Sequence, residues 1–483
     1  MRSRAGGRGT FASLRHRNAR LFFAGLWVSQ VGSWMQTVAA ALLVKRLAPH
    51  RWEGVLLGVT MAAQFVPMLL FGAWFGAFAD QRNRWRLTVI TQTLRAVQAL
   101  ALALVTFAGW ANIPVLLLMT LALGVVATID NPARRGVVVE LVEPAGIPNA
   151  MALNTATMTG SRAIGPALAA LIIPTLGFGW CFLLNGISFA AIVGSLFAMD
   201  RTQLHRSPPA PRGGTPVRDA LRFIREDPPL LRIFIVMVVV STFSFNYPVA
   251  LPLLVQDRWQ ASESWFGILL AVVSVGSFVG SLYVAGRKVI DERLYYQLTF
   301  LLAASTLALA FVPNVWWALA LSIPMGIGGA GFLAVGNGLT QTRTPDGMRS
   351  RMLALVAVAF LGSTPIGGPV TGLIGDFVGP SWALAYGGLI TLAAVSWGVW
   401  AWSRATVQAP TAAAEPHATT RPPNPSRPPN PSRPPNPSRP PNPDLCHRLL
   451  DFRESGVREL SRGARRVRGE PRMAEPRLPD FPA

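Results

Sequence analysis

The segment Leu294–Thr342, LYYQLTFLLAASTLALAFVPNVWWALALSIPMGIGGAGFLAVGNGLTQT, contains no charged residue. A helix that crosses the hydrocarbon core of a bilayer, roughly 30 Å thick, needs about 20 apolar residues, so this segment is too long for one span. Pro313-Asn314 lies near its middle and is typical of a turn. The segment therefore predicts two membrane helices joined by a short turn.

Uncharged segments recur along the chain. Six of them fit single spans: Leu21–Val44, Gly54–Ala79, Ile233–Gln256, Ser264–Gly286, Met352–Gly375 and Phe377–Ser403. Two others, Ala96–Ile129 and Ala163–Met199, need two spans each, with turns at Trp110 to Pro114 and at Pro174 to Gly179. These two segments are slightly too short for two full helices and a turn. Their first helices must therefore begin earlier in the chain, near Leu87 and near Ala150, and Arg95 and Arg162 then lie inside the membrane. The chain therefore predicts an all-α membrane protein with twelve transmembrane helices.

Composition and charge support this class. Hydrophobic residues make up 51% of the chain and charged residues 14%, against about 25% charged in soluble domains. The net charge of +21 comes mainly from arginines in alternate loops, those on one side of the membrane. This placement argues against a nucleic-acid-binding surface. Because basic residues concentrate in cytoplasmic loops, both termini are predicted to be cytoplasmic.

The two halves of the membrane region resemble each other. Gly72 and Gly76 match Gly276 and Gly280, and Gly165-Pro166 matches Gly368-Pro369, at a nearly constant offset of about 203 residues. This duplication predicts two six-helix bundles, residues 21–199 and 229–403, preceded by a cytoplasmic segment, residues 1–20.

Two segments outside the bundles have distinct compositions. The linker, residues 200–228, is basic, and its part Val217–Glu226 predicts a short amphipathic helix at the membrane surface or a solvated connector. The tail, residues 404–483, contains nearly four copies of Arg-Pro-Pro-Asn-Pro-Ser. Such a repeat buries too little apolar surface to fold, so the tail is predicted to be a disordered accessory segment, with partner docking as the alternative.

A motif closes the second predicted span. It begins with Gly72 and Gly76, whose spacing of four allows close helix approach, and continues through Asp80, Arg82 and Arg84. A carboxylate at this position can meet the positive N-terminus of a neighbouring helix.

This motif resembles the signature Gly-x-x-x-Asp-Arg-x-Gly-Arg-Arg of the major facilitator superfamily. Gly76, Asp80 and Arg84 match it, whereas Gln81, Asn83 and Trp85 depart from it. The chain is most similar to the bacterial branch that includes the enterobactin exporter and macrolide efflux proteins. The segments that carry this second resemblance are Leu14–Leu21, Gly32–Gln36, Asp130–Arg135 and Thr344–Arg351.

The resemblance implies a transporter that works by alternating access in the bacterial cytoplasmic membrane. It implies that the Asp80 region latches the two bundles, although a plain helix-end carboxylate remains the alternative. Gly165-Pro166 resembles the antiporter motif of the superfamily, with Gly368-Pro369 as its counterpart. Ordinary small-residue packing is the alternative for this pair.

Polar residues inside the predicted spans are candidates for the substrate path. They are Gln30, Trp34, Gln92, Arg95, Asn154 and Arg162. Arginine inside a membrane costs roughly 2.5–3.5 kcal/mol on insertion scales, so such residues face a cavity or a partner. Two interpretations stay open for Arg95 and Arg162: either they line the path, or they pair with a carboxylate such as Asp130 and hold the bundle together. Arginines in the path would favour anionic or neutral, hydroxyl-rich substrates.

Asp130 and Asp80 are the candidates for proton coupling, with ordinary helix-end charges as the alternative. The chain has neither a phosphate-binding loop nor a His/Cys metal cluster, which argues against an enzyme and against cofactors.

The leading hypothesis is a proton-coupled exporter of a drug-like, macrolide-like or siderophore-like molecule. It is expected to be monomeric, with a small-molecule substrate, the proton gradient and the lipid bilayer as partners. The alternatives are an importer of a small anionic nutrient and a membrane protein whose tail docks a partner.

Overall fold

The computed structural model describes residues 12–205, 216–287, 289–345, 348, 352, 355–356, 359–360 and 364–408, without the side chains of residues 73, 77, 80, 216–218 and 405–408. No β-strand occurs among these residues. The α-helices are α1 (Arg17–Leu47), α2 (Glu53–Asp80), α3 (Arg84–Phe107), α4 (Ile113–Glu140), α5 (Ile147–Leu176), α6 (Phe178–Ala198), α7 (Pro216–Glu226), α8 (Pro228–Ser244), α9 (Tyr247–Leu253), α10 (Ser264–Ala285), α11 (Glu292–Phe311), α12 (Val315–Arg343), α13 (Thr364–Phe377) and α14 (Pro380–Gln408).

Ten helical segments within the described ranges are long and apolar enough to cross a membrane. The all-α membrane class predicted from the sequence is therefore confirmed. Helix α1 is not among the ten. It is 31 residues long, and the polar residues Gln30, Ser33 and Gln36 lie in its middle.

The predicted turns are present where the sequence places them, because local hydrogen bonds end or begin a helix there. Asn112 accepts a hydrogen bond from the backbone N–H of Val115 and caps α4. Gly177, with φ of 90°, separates α5 from α6 in a conformation that favours glycine. Asn314 accepts from the N–H groups of Trp316 and Trp317 and caps α12.

Each half packs its helices through small residues. In the first half α1 packs on α5 and α6, α2 on α4, and α3 on α6. In the second half α10 packs on α12, and α11 packs on α12 and α14. Gly276 and Gly280 lie directly against the α12 backbone at Ile323 and Ile327, so a Cβ at either glycine would overlap it.

The corresponding glycines of the first half behave differently. We expected Gly72 and Gly76 to allow close helix approach, but a Cβ at Gly76 would meet no atom within 4 Å. The close contact of α2 with α4 is made instead at Gly124, against the backbone carbonyl of Gln64. Among the described residues Gly72 and Gly76 have no close helix contact, so their role in helix approach stays a prediction.

The segment predicted as one span, Ile233–Gln256, is interrupted. Helix α8 ends at Ser244, α9 begins at Tyr247, and residues Leu254–Arg258 form a π-helical turn. Pro248 has no N–H to continue the ladder of α8, and the amide of Asn246 donates instead to the backbone carbonyl of Thr242. This interruption moves Tyr247 and Pro248 toward the first half.

The linker helix α7 is confirmed, with an apolar face that packs on protein. Ala220 and Ile224 are buried against Leu230, Met352 and Leu355 of the second half. The C-terminal helix α14 continues to Gln408, beyond the predicted boundary at Ser403. The repeats of the tail lie outside the described residues.

Candidate functional site

Within the described ranges, close contacts between the two halves occur toward one end of the molecule. We call it the Lys45 end, where α1 ends and α2 begins, and the opposite end the Asp80 end. At Gly54 and Gly372 the backbones of α2 and α13 touch, so a Cβ on either glycine would overlap the other helix. Gly58 lies in the same way against Gly368 and Pro369. The Lys45 end is therefore closed by direct contact of helix backbones.

Charged groups from both halves meet at this end. The Lys45 ammonium group, whose residue is 5% exposed, pairs with Glu53 of its own half and with Asp257 of the other half, the latter at 2.7 Å. The carboxylate of Asp376, at the end of α13, accepts from the N–H of Gly54 at 2.7 Å and of Val55 at 2.8 Å. Both aspartates thus join the second half to the first.

The Gly-Pro pairs lie at interfaces. Gly165 on α5 packs against Trp34 and the α1 backbone, and the carbonyl of Pro166 lies against Gly267 of α10. The interfaces α5–α10 and α2–α13 therefore each contain one of the duplicated Gly-Pro pairs. This placement agrees with close packing and leaves a role in coupling as a proposal.

Arg162 lies near the middle of α5, where the halves meet. Its guanidinium carbon is 4.9 Å from the centre of the Trp34 ring, and Tyr247 of α9 is near enough to interact with its charge. The Arg162 side chain is exposed, and within the described part of the chain no carboxylate forms an ion pair with it. Arg162 is therefore a cation available to a ligand.

Arg95 has the opposite environment. Its Nη1 is 3.3 Å from Oδ2 of Asp130, and Nε of Arg134 is also 3.3 Å from that oxygen. Thr91 and Gln92 donate to Oδ1 of Asp130 at 2.8 and 2.7 Å, and Asp130 is fully buried. For Arg95 the pairing interpretation is thus the one observed, and the cluster joins α3 to α4.

Two further predicted path residues are buried beside this region. Gln30 on α1 and Asn154 on α5 are both 7% exposed. Oδ1 of Asn154 and Oε1 of Gln92 have no hydrogen-bond partner among the described residues. A buried amide oxygen without a donor is unfavourable, and a ligand or water that supplies one would stabilise it.

A pocket with uncharged, mostly apolar walls lies near Trp34 and Tyr247, the two neighbours of Arg162. Its lining includes Thr37, Gln64, Gln98 and Pro248. Thr37 is one turn beyond Trp34 on α1, and Pro248 follows Tyr247, so the pocket continues the surroundings of Arg162. The sequence analysis did not single out this pocket, because its walls come from four helices and the α8–α9 break.

A row of amides supports one wall of this pocket. Asn185 of α6 donates to Gln36 at 2.7 Å, and Gln36 donates to Gln98 at 3.1 Å. All three are buried, and the bonds hold α1, α3 and α6 at fixed positions around the pocket.

The residues of the Asp80 motif lie at the opposite end. Asp80 is the last residue of α2, and its side chain is outside the described set. The guanidinium of Arg82 lies 5.3 Å from the Phe78 ring centre. Arg84 crosses the gap left by Gly136 on α4 and reaches Oε1 of Glu140 at 3.5 Å. Arg84 thus ties α3 to α4 within the first half.

The comparison with protein families is decisive. Residues 8–424 match the model of a family described as transmembrane secretion effector, which is of the major facilitator type. The chain belongs to this family.

Characterised relatives of this transmembrane secretion effector chain include transporters of siderophores and drugs. The staphyloferrin A transporter of Staphylococcus aureus is 21% identical over 365 residues, 74% of this chain and 88% of the relative. The multidrug efflux pump Tap of Mycolicibacterium fortuitum is 25% identical over 74% of this chain and 89% of Tap. The enterobactin exporter EntS of Escherichia coli is 23% identical over 76% of this chain and 87% of EntS. The family is one of transporters and not of enzymes.

Solved structures support the fold of this family member. A POT family transporter in complex with a thioalcohol-conjugated peptide has a TM-score of 0.66 and 12% identity, and covers 80% of this chain and 96% of its own. A D-xylose-proton symporter has a TM-score of 0.60 and 16% identity, and covers 80% and 97%. At these identities the likeness concerns the fold alone.

The charge cluster at the Lys45 end was missed from the sequence of this family member. The sequence analysis singled out none of its four residues, Lys45, Glu53, Asp257 and Asp376, as part of a site. The available signal was that an acidic residue begins α2 while two others end spans in the second half.

Proposed function

We propose that this protein is a secondary active exporter of an anionic or hydroxyl-rich small molecule of the siderophore class. The observation that carries the proposal is the exposed Arg162 guanidinium, stacked on Trp34 and without a carboxylate partner among the described residues. An arginine that lies within the membrane without a carboxylate partner is unfavourable in free energy. A bound anionic ligand would offset that cost. The relatives that transport siderophores support the substrate class.

The proposal includes a twelve-span topology in the bacterial inner membrane. Helix α1 and the predicted span that contains α13 would add two spans to the ten helices that meet the length and composition criteria. The arginine-rich loops at the Asp80 end support a cytoplasmic position for that end and for both termini. In this topology the Lys45 end would face outside, and its contacts support an inward-facing state.

Alternating access follows from this arrangement. The halves touch through glycine backbones and a few polar groups at the Lys45 end, so they can separate there as rigid bodies and close at the Asp80 end. Arg162 lies at the middle of the interface, where a cargo reaches it from either side in turn. The two oxygens of a cargo carboxylate or catecholate group would each accept one of two parallel hydrogen bonds from the guanidinium.

The selectivity of such a site follows from its charge. Arg162 repels cations and attracts anions, and Trp34 offers a ring face to a planar group of the cargo. The uncharged pocket beyond Thr37 is lined mostly by apolar side chains, with Thr37, Gln64 and Gln98 among them, so it suits an apolar part of the cargo that carries a few hydroxyl or amide groups. Quaternary ammonium drugs are therefore the poorest cargo that we expect.

We also propose that the proton gradient drives export, with Asp130 and Asp80 as candidate carriers. In this state Asp130 contacts the guanidinium groups of Arg95 and Arg134, so a change in its protonation would be felt directly by α3 and α4. Cargo would bind at Arg162 and a proton at Asp130 in turn. A rearrangement of the first half would couple the two binding events.

Accumulation in efflux-deficient bacteria tests the function. Cells with and without the protein are given labelled enterobactin, staphyloferrin A, erythromycin and ethidium, with and without a protonophore, and an Asp80→Asn variant is the matched control. We expect the protein to lower siderophore accumulation, with ethidium unchanged, and the protonophore and the variant to abolish the effect. Raised siderophore accumulation would indicate an importer, and unchanged accumulation of all four compounds would contradict the proposal.

A further inference from the structure

The second half contains a cluster of aromatic side chains beside the break between α8 and α9. The ring centre of Phe245 lies 5.1 Å from that of Phe360, 5.8 Å from that of Tyr247 and 6.2 Å from that of Phe332. Tyr295 stacks on Phe332 at 5.3 Å. Aromatic pairs attract each other at such distances, so the five rings pack as one group, which we call the aromatic cluster.

The aromatic cluster has a buried base and a half-buried face. Phe332 and Tyr295 are fully buried and belong to the core. Phe245, Tyr247 and Phe360 are only half-buried. Helix α9, which begins at Tyr247, contacts α1 and α2 of the first half and α13 and α14 of the second. Because helices of both halves surround this point, the exposed parts of the three rings face the space between the halves and not lipid.

The helix break produces this face. In a continuous helix two residues at positions i and i+2 do not face each other, so Phe245 and Tyr247 would be separated. Helix α8 ends at Ser244, and the amide of Asn246 donates to the backbone carbonyl of Thr242. The two rings then pack side by side, where both can contact one ligand.

Contacts between the halves hold Arg162 beside this face. Its backbone carbonyl accepts from the Ser274 hydroxyl of α10 at 3.1 Å. One turn further along α5, the carbonyl of Pro166 lies against Gly267 of α10. Tyr247 is near enough to interact with the charge of Arg162. The space between the halves is therefore bordered by a cation on one side and by aromatic rings on the other.

We propose that Phe245, Tyr247 and Phe360 form a second part of the cargo site, which binds an aromatic ring of the cargo while Arg162 binds its anionic group. The inference rests on the proposed function, and it narrows the cargo to anions that carry an aromatic ring, as opposed to aliphatic carboxylates. Ligand sites are mostly apolar with a few polar groups that fix orientation, and this site has that composition.

Two kinds of contact give such a site its selectivity. A ligand ring packs against Phe245 and Phe360 and removes apolar surface from water, and ring pairs add an attraction that a saturated ring of the same size lacks. The Tyr247 hydroxyl can donate to or accept from a hydroxyl group on the ligand ring. Aromatic anions therefore bind more tightly than aliphatic anions of equal charge.

Binding to the full chain in lipid nanodiscs tests the inference with two matched probes. N-benzoylserine and N-(cyclohexanecarbonyl)serine have the same charge and nearly the same size, and they differ in whether the ring is aromatic. A third probe, the catechol counterpart of N-benzoylserine, carries two adjacent hydroxyl groups on its ring. Competition against the radiolabelled catechol probe gives the dissociation constants of the matched pair, whose ratio does not depend on the fraction of protein that is folded.

We expect the wild type to bind N-benzoylserine about 2- to 12-fold more tightly than the saturated probe. Phe245→Leu and Phe360→Leu should reduce this preference, because each keeps apolar bulk but removes a ring. Trp34 offers a ring on the side of Arg162, so part of the preference should remain. Tyr247→Phe should keep the preference and weaken only the catechol probe, about 2- to 12-fold, through loss of one hydrogen bond.

Phe300→Leu is the matched control. Phe300 is an exposed ring on α11, which packs on other helices of the second half, and its replacement should leave the binding of all three probes unchanged. If Phe245→Leu does not fold, Phe360→Leu and Tyr247→Leu provide the same test at the other two rings of the face.

Three results would overturn the inference. They are equal affinity of the wild type for the matched probes, a preference that every folded Leu variant of the face keeps in full, and an equal loss of preference in the control. Arg162→Gln separates the inference from the proposed function. If the probes bind more weakly to Arg162→Gln but show no aromatic preference, only the aromatic part of the site is rejected. If none of the probes binds the wild type, the anionic cargo site itself is rejected.

Discussion

The guanidinium of Arg162 lies 4.9 Å from the ring centre of Trp34, where α5 and α1 meet in the middle of the molecule. This pair sets Arg162 apart from Arg95, which is bound to Asp130. The two intramembrane arginines thus have different partners, a tryptophan ring for Arg162 and a buried carboxylate for Arg95.

Replacement of Trp34 tests the stacked pair. Trp34→Ala removes the ring and should raise the KM for an anionic cargo about 2- to 30-fold, because a cation–π contact contributes about 0.5–2 kcal/mol. Trp34→Phe keeps a ring face and should show a smaller increase. Transport kinetics at matched protein levels measure both. An equal effect of the two replacements would show that ring stacking is unimportant.

Replacement of Arg95 should affect stability more than selectivity. In Arg95→Gln the buried Asp130 loses one of its two guanidinium partners, and breaking a buried ion pair typically costs about 3–5 kcal/mol. We expect a lower thermal unfolding midpoint in detergent with the preference for anionic over cationic cargo unchanged. Arg135→Gln, at an exposed position near Asp130, is the control. A variant of normal stability that exports cations would place Arg95 in the cargo path.

The glycine contact of α2 with α13 predicts that a single methyl group opens the Lys45 end. Gly372→Ala places a Cβ where the carbonyl of Gly54 lies, so the halves must move apart. A membrane-impermeant maleimide added outside should label Ala41→Cys in the pocket faster in this background. Gly194→Ala fills open space on α6 and should leave labelling unchanged. Equal labelling in both backgrounds would contradict the closed contact.

Deletion of the residues after Gln408 should leave export intact. The described helices end there, and the repeats that follow are too polar to bury an apolar surface. Export rate per molecule in the membrane is the measurement. A truncated protein that reaches the membrane in normal amounts but does not transport would give the tail an essential role.

Much of the helical framework is predictable from the sequence, because spans and turns depend on local signals. Asn112, Gly177 and Asn314 end or begin helices through their own backbone or nearest neighbours. The break between α8 and α9 was missed, because a long apolar segment hides the effect of Asn246 and Pro248.

The site is less predictable, because its groups meet only in the folded chain. Asp257 lies 212 residues from Lys45 along the sequence, and Asp376 lies 322 residues from Gly54. No local pattern links such positions. For the same reason the sequence left the same two interpretations open for Arg95 and Arg162, and only the folded chain shows that Arg95 contacts Asp130.

The most direct test of the account is the export of an anionic cargo by Arg162 variants. The compound of the four-member panel that the wild type exports fastest is measured with Arg162→Gln, Arg162→Lys and the control Arg135→Gln at equal protein levels. Loss of a charge-assisted hydrogen bond worth about 1.5–3 kcal/mol should lower kcat/KM about 10- to 100-fold in Arg162→Gln, with part retained in Arg162→Lys. The control should match the wild type. Wild-type export by a folded Arg162→Gln variant would contradict the assignment of Arg162 as the cargo anchor.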